Sequence, residues 1–210
     1  MDVQTLIVGP LQVNCYIVAC SASHQALVID PGAEGERILS AIETAGLRLR
    51  SIINTHGHFD HVGANRLLVE KTGAELLIHA ADLPLLRGAA SHAAAYGLSA
   101  EPSSEPDRLL ADGETVTVGE VTLQVLHVPG HSPGGICLYG GGELFSGDAL
   151  FAGSVGRTDL PGGDHEALIG AIRERLLPLP SETVVHPGHG PDTTIGRERV
   201  SNPFVGEGAH

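Results

Sequence analysis

Cysteine is scarce and unpatterned in this chain. Cys15, Cys20 and Cys137 are odd in number and include no Cys-x-x-Cys pair, so they read as reduced, mostly buried thiols of a cytoplasmic protein. No opening stretch joins a basic start, an apolar run and a small-residue cleavage site, and no secretory signal is expected. No apolar run reaches membrane-spanning length, so a membrane partner is not expected either. Basic residues are few: 12 Lys and Arg stand against 25 Asp and Glu, for a net charge of −13. That balance disfavours nucleic acid or any phosphate-rich polymer as a partner. Lys71 is the only lysine. No low-complexity segment interrupts the chain, and residues 1–210 are expected to form one domain with a sizeable core.

What the chain does have is histidine in a tight pattern. Thr55-His56-Gly57-His58-Phe59-Asp60-His61 follows the apolar run Ser51-Ile52-Ile53-Asn54. A strand ending at Thr55 would release these side chains into a loop. Val62 to Val69 then shows helical apolar spacing, which puts Asp60 and His61 on the first helical turn. Imidazole nitrogens and carboxylate oxygens are what zinc, iron or manganese accept, and a strand-to-loop junction can aim several at one point. Asp60 alone also fits as an acid favoured by a helix N-terminus. Two later stretches, Val128-Pro129-Gly130-His131 and Val185-His186-Pro187-Gly188-His189, repeat an apolar strand, a Pro-Gly turn and a histidine. Between them, Leu144-Phe145-Ser146-Gly147-Asp148 is a strand that ends on an acid.

Along the chain, residues 3–8, 13–19 and 26–29 read as strands, the third closing on Asp30-Pro31-Gly32. Asp30 has two readings: an acceptor orienting a ligand histidine, or a turn-starting Asp before Pro. Residues 34–45 read as a helix stopped at Gly46, leading to a strand at 49–54 in a βαβ-like unit. A helix over 61–72 precedes a buried-type strand, Glu75 to His79. Ala81 to Arg87 reads as a short helix and residues 88–107 as a long loop, a candidate flap beside a substrate. His92 and Tyr96 lie in that stretch. Strand hairpins follow at 114–128 and 136–145. Asp164 reads as the N-cap of a helix bearing Leu168, Ile169, Ile172 and Leu176. Thr183 to Val185 is the last strand, and the tail beyond Phe204 is expected to fray. His79 and His127 read as structural.

The ordered set His56, His58, Asp60, His61, His131, Asp148 and His189 resembles the signature of the metallo-β-lactamase superfamily. The resemblance implies an α/β fold, an αββα sandwich of two mixed sheets flanked by helices, with metals at one edge. It implies that His56, His58 and His131 hold one divalent ion, that Asp60, His61 and His189 hold a second, and that Asp148 bridges both. Zinc or iron, or else manganese, would then activate a shared water as hydroxide, with Asp60 orienting it. The run Ser146 to Asp159, with Thr194-Ile195-Gly196 and Asn202-Pro203-Phe204, is similar to the glyoxalase II and persulfide dioxygenase branch. The chain ends near where the family's catalytic domain ends, which resembles the short bacterial glyoxalase II-like type. The implied activity is hydrolysis of a thioester of a glutathione-like thiol, such as S-lactoylglutathione. The alternative is a persulfide dioxygenase with one iron on His56, His131 and Asp148. Asp148 stands where the family's antibiotic-hydrolysing members carry cysteine, so β-lactam hydrolysis is not expected. Arg157 has two readings: a bidentate grip on a substrate carboxylate, or an ion pair with Asp159.

Overall fold

The computed structural model describes residues 1–209 and resolves the alternating segments into two six-stranded sheets. The first contains β1 (Asp2–Val8), β2 (Val13–Cys20), β3 (Gln25–Ile29), β4 (Arg48–Ile53), β5 (Glu75–His79) and β6 (Arg108–Leu110), side by side in chain order. β1, β2 and β3 pair antiparallel, and β3 through β6 pair parallel. Parallel neighbours need crossovers, and helices supply the first two: α1 (Gly35–Thr44), then the short α2 (Phe59–Val62) with α3 (Asn65–Thr72). α4 (Leu83–Ala95) lies between β5 and β6.

The second sheet begins with β7 (Thr115–Val118), β8 (Val121–His127), β9 (Ile136–Gly140) and β10 (Glu143–Gly147) as antiparallel neighbours. A small ribbon of β11 (Leu150–Phe151) and β12 (Ser154–Val155) follows, then α5 (His165–Ala171). β13 (Val184–Pro187) adds parallel to β10, and β14 (Thr193–Thr194) and α6 (Ile195–Ser201) complete the order.

Strand alternation explains the layering. All eight residues of β2 are buried, as a strand covered on both faces must be. Cys15, Ile17 and Ala19 pack outward with Ile38, Ile42 and Leu68 of α1 and α3. Tyr16 and Val18 face inward, against Leu123, Val125, Leu138 and Phe145 of the second sheet. The outer face of that sheet, through Cys137, Leu144 and Val185, packs on Leu168, Ile172, Leu176 and Ile195. The result is helix, sheet, sheet, helix, the αββα sandwich that the resemblance implies.

Three expectations change. The stretch 88–107 is not a loop throughout, because α4 continues to Ala95. Leu86, Ala89 and Ala93 are its buried residues, at helical spacing; alanine is too small to stand out as an apolar face but is the best helix former. The expected helix over 61–72 is two pieces, broken between Val62 and Asn65. The tail packs past Phe204: Val205 is 3% exposed and joins the outer core.

The two sheets are tied at one edge. The Tyr16 hydroxyl, from the first sheet, donates to the Pro187 carbonyl at 2.6 Å, and Asn14 Nδ2 donates to the same carbonyl at 3.0 Å. The Asn14 amide donates to Gly188 at 2.8 Å, and the Ile136 amide donates to the Thr55 carbonyl at 2.8 Å. Loops leaving both sheets therefore converge on this edge. Gly32 lies where the loop after β3 crosses α2, and a Cβ there would overlap the Asp60 carbonyl. We predict that Gly32→Ala destabilises the fold by about 1–3 kcal/mol or more, because backbone has to move. Denaturant titration measures this, and an unchanged midpoint would mean the crossing is looser than described.

Candidate metal centre

The loop from β4 into α2 carries His56 and His58, and α2 itself carries Asp60 and His61. The loop after β8 adds His131, the turn after β10 adds Asp148, and the turn after β13 adds His189. The fold brings all seven together. Gly147 has a φ of +50°, and a Cβ there would press on the Thr55 side chain; that tight approach leaves Asp148 between the two histidine groups.

Two triads form. His56, His58 and His131 place one donor atom each within 4.8 Å of one another, as do Asp60, His61 and His189. Asp148 reaches both, with Oδ2 at 3.6 Å from His131 Nε2 and Oδ1 at 3.5 Å from His61 Nε2. Its Oδ2 is also 3.6 Å from His189 Nε2, and Asp60 Oδ2 is 3.4 Å from the same nitrogen. Bonds of about 2.0–2.1 Å in tetrahedral array place donors roughly 3.4 Å apart, so these spacings match a set of atoms facing shared cations. They are too long for hydrogen bonds.

Unpaired atoms tell the same story. His56 Nε2, His61 Nε2 and Asp148 Oδ1 are buried without a hydrogen-bond partner, a costly condition unless something else binds them. His58 Nδ1 and His131 Nε2 face each other at 3.0 Å. His131 Nδ1 already sits 2.8 Å from the Arg157 carbonyl, which accepts its proton and leaves Nε2 as a lone pair. The donor set fits two divalent metal ions.

The far sides of the rings are held by protein acceptors. His189 Nδ1 donates to the Leu11 carbonyl at 3.0 Å. His61 Nδ1 lies 3.0 Å from Asp30 Oδ2, and Thr55 Oγ1 donates to that same oxygen at 2.6 Å. Thr55 Oγ1 can then accept from His56 Nδ1 at 3.1 Å. Asp30 Oδ1 accepts the Thr55 amide at 2.7 Å. Asp30 also clusters geometrically with His56 and His61, but both of its oxygens are taken by protein donors behind the rings. Of its two sequence readings, the acceptor holds.

Sequence reasoning missed Asp82. Wholly buried, its carboxylate accepts from the Gly57 amide at 2.8 Å, from Ser132 Oγ at 2.7 Å and from the Gly134 amide. It clamps the His58 loop to the His131 loop. A lone Asp in Ala80-Ala81-Asp82 carries no local signal for that. His79 and His127 stack at 4.3 Å away from the triads, as structural residues. Arg157 makes the pair with Asp159, at 2.7 and 2.8 Å, in the open. It also lines the cleft in front of the centre, with His92 and Tyr96.

Charge is finely divided here. Burial and neighbouring imidazoles hold His56 well below the usual histidine range and push His58 down to about 3. Burial works against a proton on His61 too, but the carboxylates of Asp148, Asp60 and Asp30 win and raise it to about 10. Burial would raise Asp60; the charge on His61 and the nearby His189 imidazole hold it well below the usual carboxylate range.

The metallo-beta-lactamase superfamily model matches residues 8–189. Hydroxyacylglutathione hydrolase GloC of Haemophilus influenzae is 39% identical, over 98% of this chain and 98% of its own. Among solved structures, the BLEG-1 B3 metallo-beta-lactamase aligns with a TM-score of 0.91 at 36% identity, covering 97% of this chain and 99% of that one. TTHA1623 in a di-iron-bound form gives 0.89 at 48% identity, covering 96% and 99%. ETHE1 from Myxococcus xanthus gives 0.83 at 30% identity, covering 98% and 84%.

Asp30→Asn keeps the size of the side chain but replaces one acceptor with an NH2 group facing other donors. We predict a stability loss of about 1–3 kcal/mol for the unsatisfied buried group. Metal affinity should fall by about 10–100-fold as the rings behind the triads lose their orientation. Thermal melts and chelator competition read the two effects, and unchanged affinity would mean that Asp30 does not orient the rings.

Proposed function

This chain belongs to the metallo-β-lactamase superfamily, and from that premise we propose that it hydrolyses thioesters of a glutathione-like thiol through a two-metal centre. The observation that carries the reading is the completeness of the donor set: two triads and one carboxylate, Asp148, within reach of both. In this assignment His56, His58 and His131 would hold one ion, Asp60, His61 and His189 would hold the other, and Asp148 lies within reach of both sets. Two divalent ions so held supply Lewis acidity and lower the pKa of a bound water from about 16 to roughly 7.

The chain's own groups then have defined tasks. Asp60, in the lining of the cleft, orients the attacking water by accepting its hydrogen bond. Water gives up its protons to bulk solvent as its oxygen adds to the acyl carbon, the C–S bond breaks, and the thiolate departs with the bond's electrons, leaving a carboxylate. Its pKa of about 8.5 means that departure needs little acid assistance. None of the three cysteines stands in the centre, and all are buried and unpaired. That supports a reducing, cytoplasmic setting; among the described residues no helix is long and apolar enough to cross a membrane. The 39% identity to GloC supports the thioester substrate.

Likeness to ETHE1 favours a second reading, a dioxygenase acting on glutathione persulfide with one iron on His56, His131 and Asp148. Metal content and turnover separate the two. Two metals per chain with hydrolysis of S-lactoylglutathione support the first; one iron with dioxygen uptake on glutathione persulfide supports the second. A β-lactam belongs in the same assay, because likeness to BLEG-1 means that overall fold does not discriminate.

Two sets of variants follow. Asp148→Ala should abolish turnover and lower bound metal at both positions, while His189→Ala should empty mainly the Asp60–His61 position; elemental analysis reads the stoichiometry. Retention of both metals and full activity in Asp148→Ala would overturn the assignment. For Arg157, the pair with Asp159 is exposed, and such pairs add little to stability. Arg157→Ala should therefore melt near the parent temperature yet raise KM for a carboxylate-bearing thioester more than it lowers kcat. Arg157→Lys should restore only part of the binding. An unchanged KM in the folded variant would leave Arg157 with its Asp159 pairing alone.

A further inference from the structure

The chain has only seven phenylalanines and tyrosines and no tryptophan. Three of them, Phe59, Tyr96 and Phe151, line a cleft that opens onto the metal centre, together with Leu11, Leu98 and Leu160. The cleft encloses about 550 Å³, within the range of small-molecule sites. Tyr96 is 55% exposed and Leu11 45%, so large apolar side chains stand open to water there. Phe59 lies between His58 and Asp60 in sequence, and the apolar wall therefore begins beside the donor atoms themselves. Its ring packs 5.6 Å from His92 and 5.8 Å from Tyr96, fixing the last turn of α4 over the centre.

Polar recognition in the cleft is sparse by comparison. Outside the two triads and Asp148, the lining offers His92, Arg157 and the hydroxyl at the tip of the Tyr96 ring. The Arg157 charge is already balanced by Asp159, and the lining holds no second cation. Such a wall gains little from a small hydroxylated acyl group and much from an apolar one.

We propose that this cleft selects thioesters whose acyl part is an apolar aliphatic chain or aromatic ring, with Phe59, Tyr96 and Leu98 as the selecting wall and Leu11 opposite. The proposal rests on the thioesterase reading above, and it names the acyl class that reading leaves open. The acyl group lies along the Phe59 and Tyr96 rings, its carbonyl at the metal centre and its thiol part toward Arg157.

Non-hydrolysable S-methyl, S-butyl and S-hexyl thioethers of glutathione test the wall without requiring turnover, since an alkyl group takes the acyl position. Calorimetry on the metal-loaded protein should show Kd falling by about fourfold for each added CH2 until the cleft is filled. Tyr96→Ala and Leu98→Ala should each shrink the hexyl-to-methyl ratio by about fivefold or more; Tyr96 is exposed and Leu98 half-buried outside the packed core, and thermal melts check that each variant folds. In turnover, kcat/KM for S-hexanoylglutathione should exceed that for S-lactoylglutathione, and the same variants should narrow the gap. A Kd independent of chain length, or no binding by the S-hexyl compound, overturns the proposal. A chain-length gradient in binding without turnover of any thioester would uphold the apolar wall and instead sink the thioesterase reading.

Discussion

The carboxylate of Asp30 does not face the candidate metals, yet the geometry of the centre depends on it. One oxygen accepts the Thr55 amide, and the other receives Thr55 Oγ1 and faces His61 Nδ1. Through the threonine hydroxyl it also reaches His56 Nδ1. One buried acid thereby sets the ring orientation of a histidine in each triad. Asp30 sits at the end of β3 with a φ of +51°, in the left-handed region that asparagine and aspartate tolerate better than other side chains. The backbone turn that the next strand and helix require is thus also the turn that delivers this carboxylate behind the rings.

Around that acid the fold solves an electrostatic problem. Five histidines and two carboxylates meet in a largely buried space, and they cannot all satisfy one another. The structure holds His56 and His58 neutral by burial and mutual repulsion, while the surrounding carboxylates favour a proton on His61. Ring nitrogens left without partners are expensive in a dry interior unless cations take them. A donor set of this kind is held by everything behind it: carbonyls of Leu11 and Arg157, the Asp30 carboxylate, and Asp82 bridging two ligand loops. The sheet-to-sheet contacts of Tyr16 and Asn14 then fix the His189 turn relative to the His56 loop.

The same edge also carries three of the chain's seven phenylalanine and tyrosine rings. Most of the apolar surface has been placed in three packed interfaces between layers. Tyr96 and Leu11 are left out of them, and both border the cleft. α4 makes this possible: Leu86 and Ala89 anchor it on Val62 and Ile78, so its far turn can carry His92 and Tyr96 without burying them.

Local pattern alone determined much of this protein. Alternation and turn residues placed the strands, and the His-x-His-x-Asp-His run with its later Pro-Gly-His turns pointed to metal chemistry, because ligands clustered at strand ends survive as short-range signals. The αββα arrangement needed the family resemblance, since periodicity carries no information on which sheet a strand joins. Tertiary structure alone decided the rest. Asp82 looks like any acid before a helix, and only the meeting of a loop 25 residues before it with one 50 residues after it gives its carboxylate three donors. Asp30 was balanced between a turn and an acceptor until the register of β3 against β4 set it beside Thr55. Residues 88–95 read as loop because alanine leaves no visible apolar stripe, whereas packing on α2 makes them helix. Long-range contacts that depend on how sheets stack leave no trace in neighbouring residues, and for that reason the donors were readable in the sequence while the groups that orient them, Asp30 as one of two readings apart, were not.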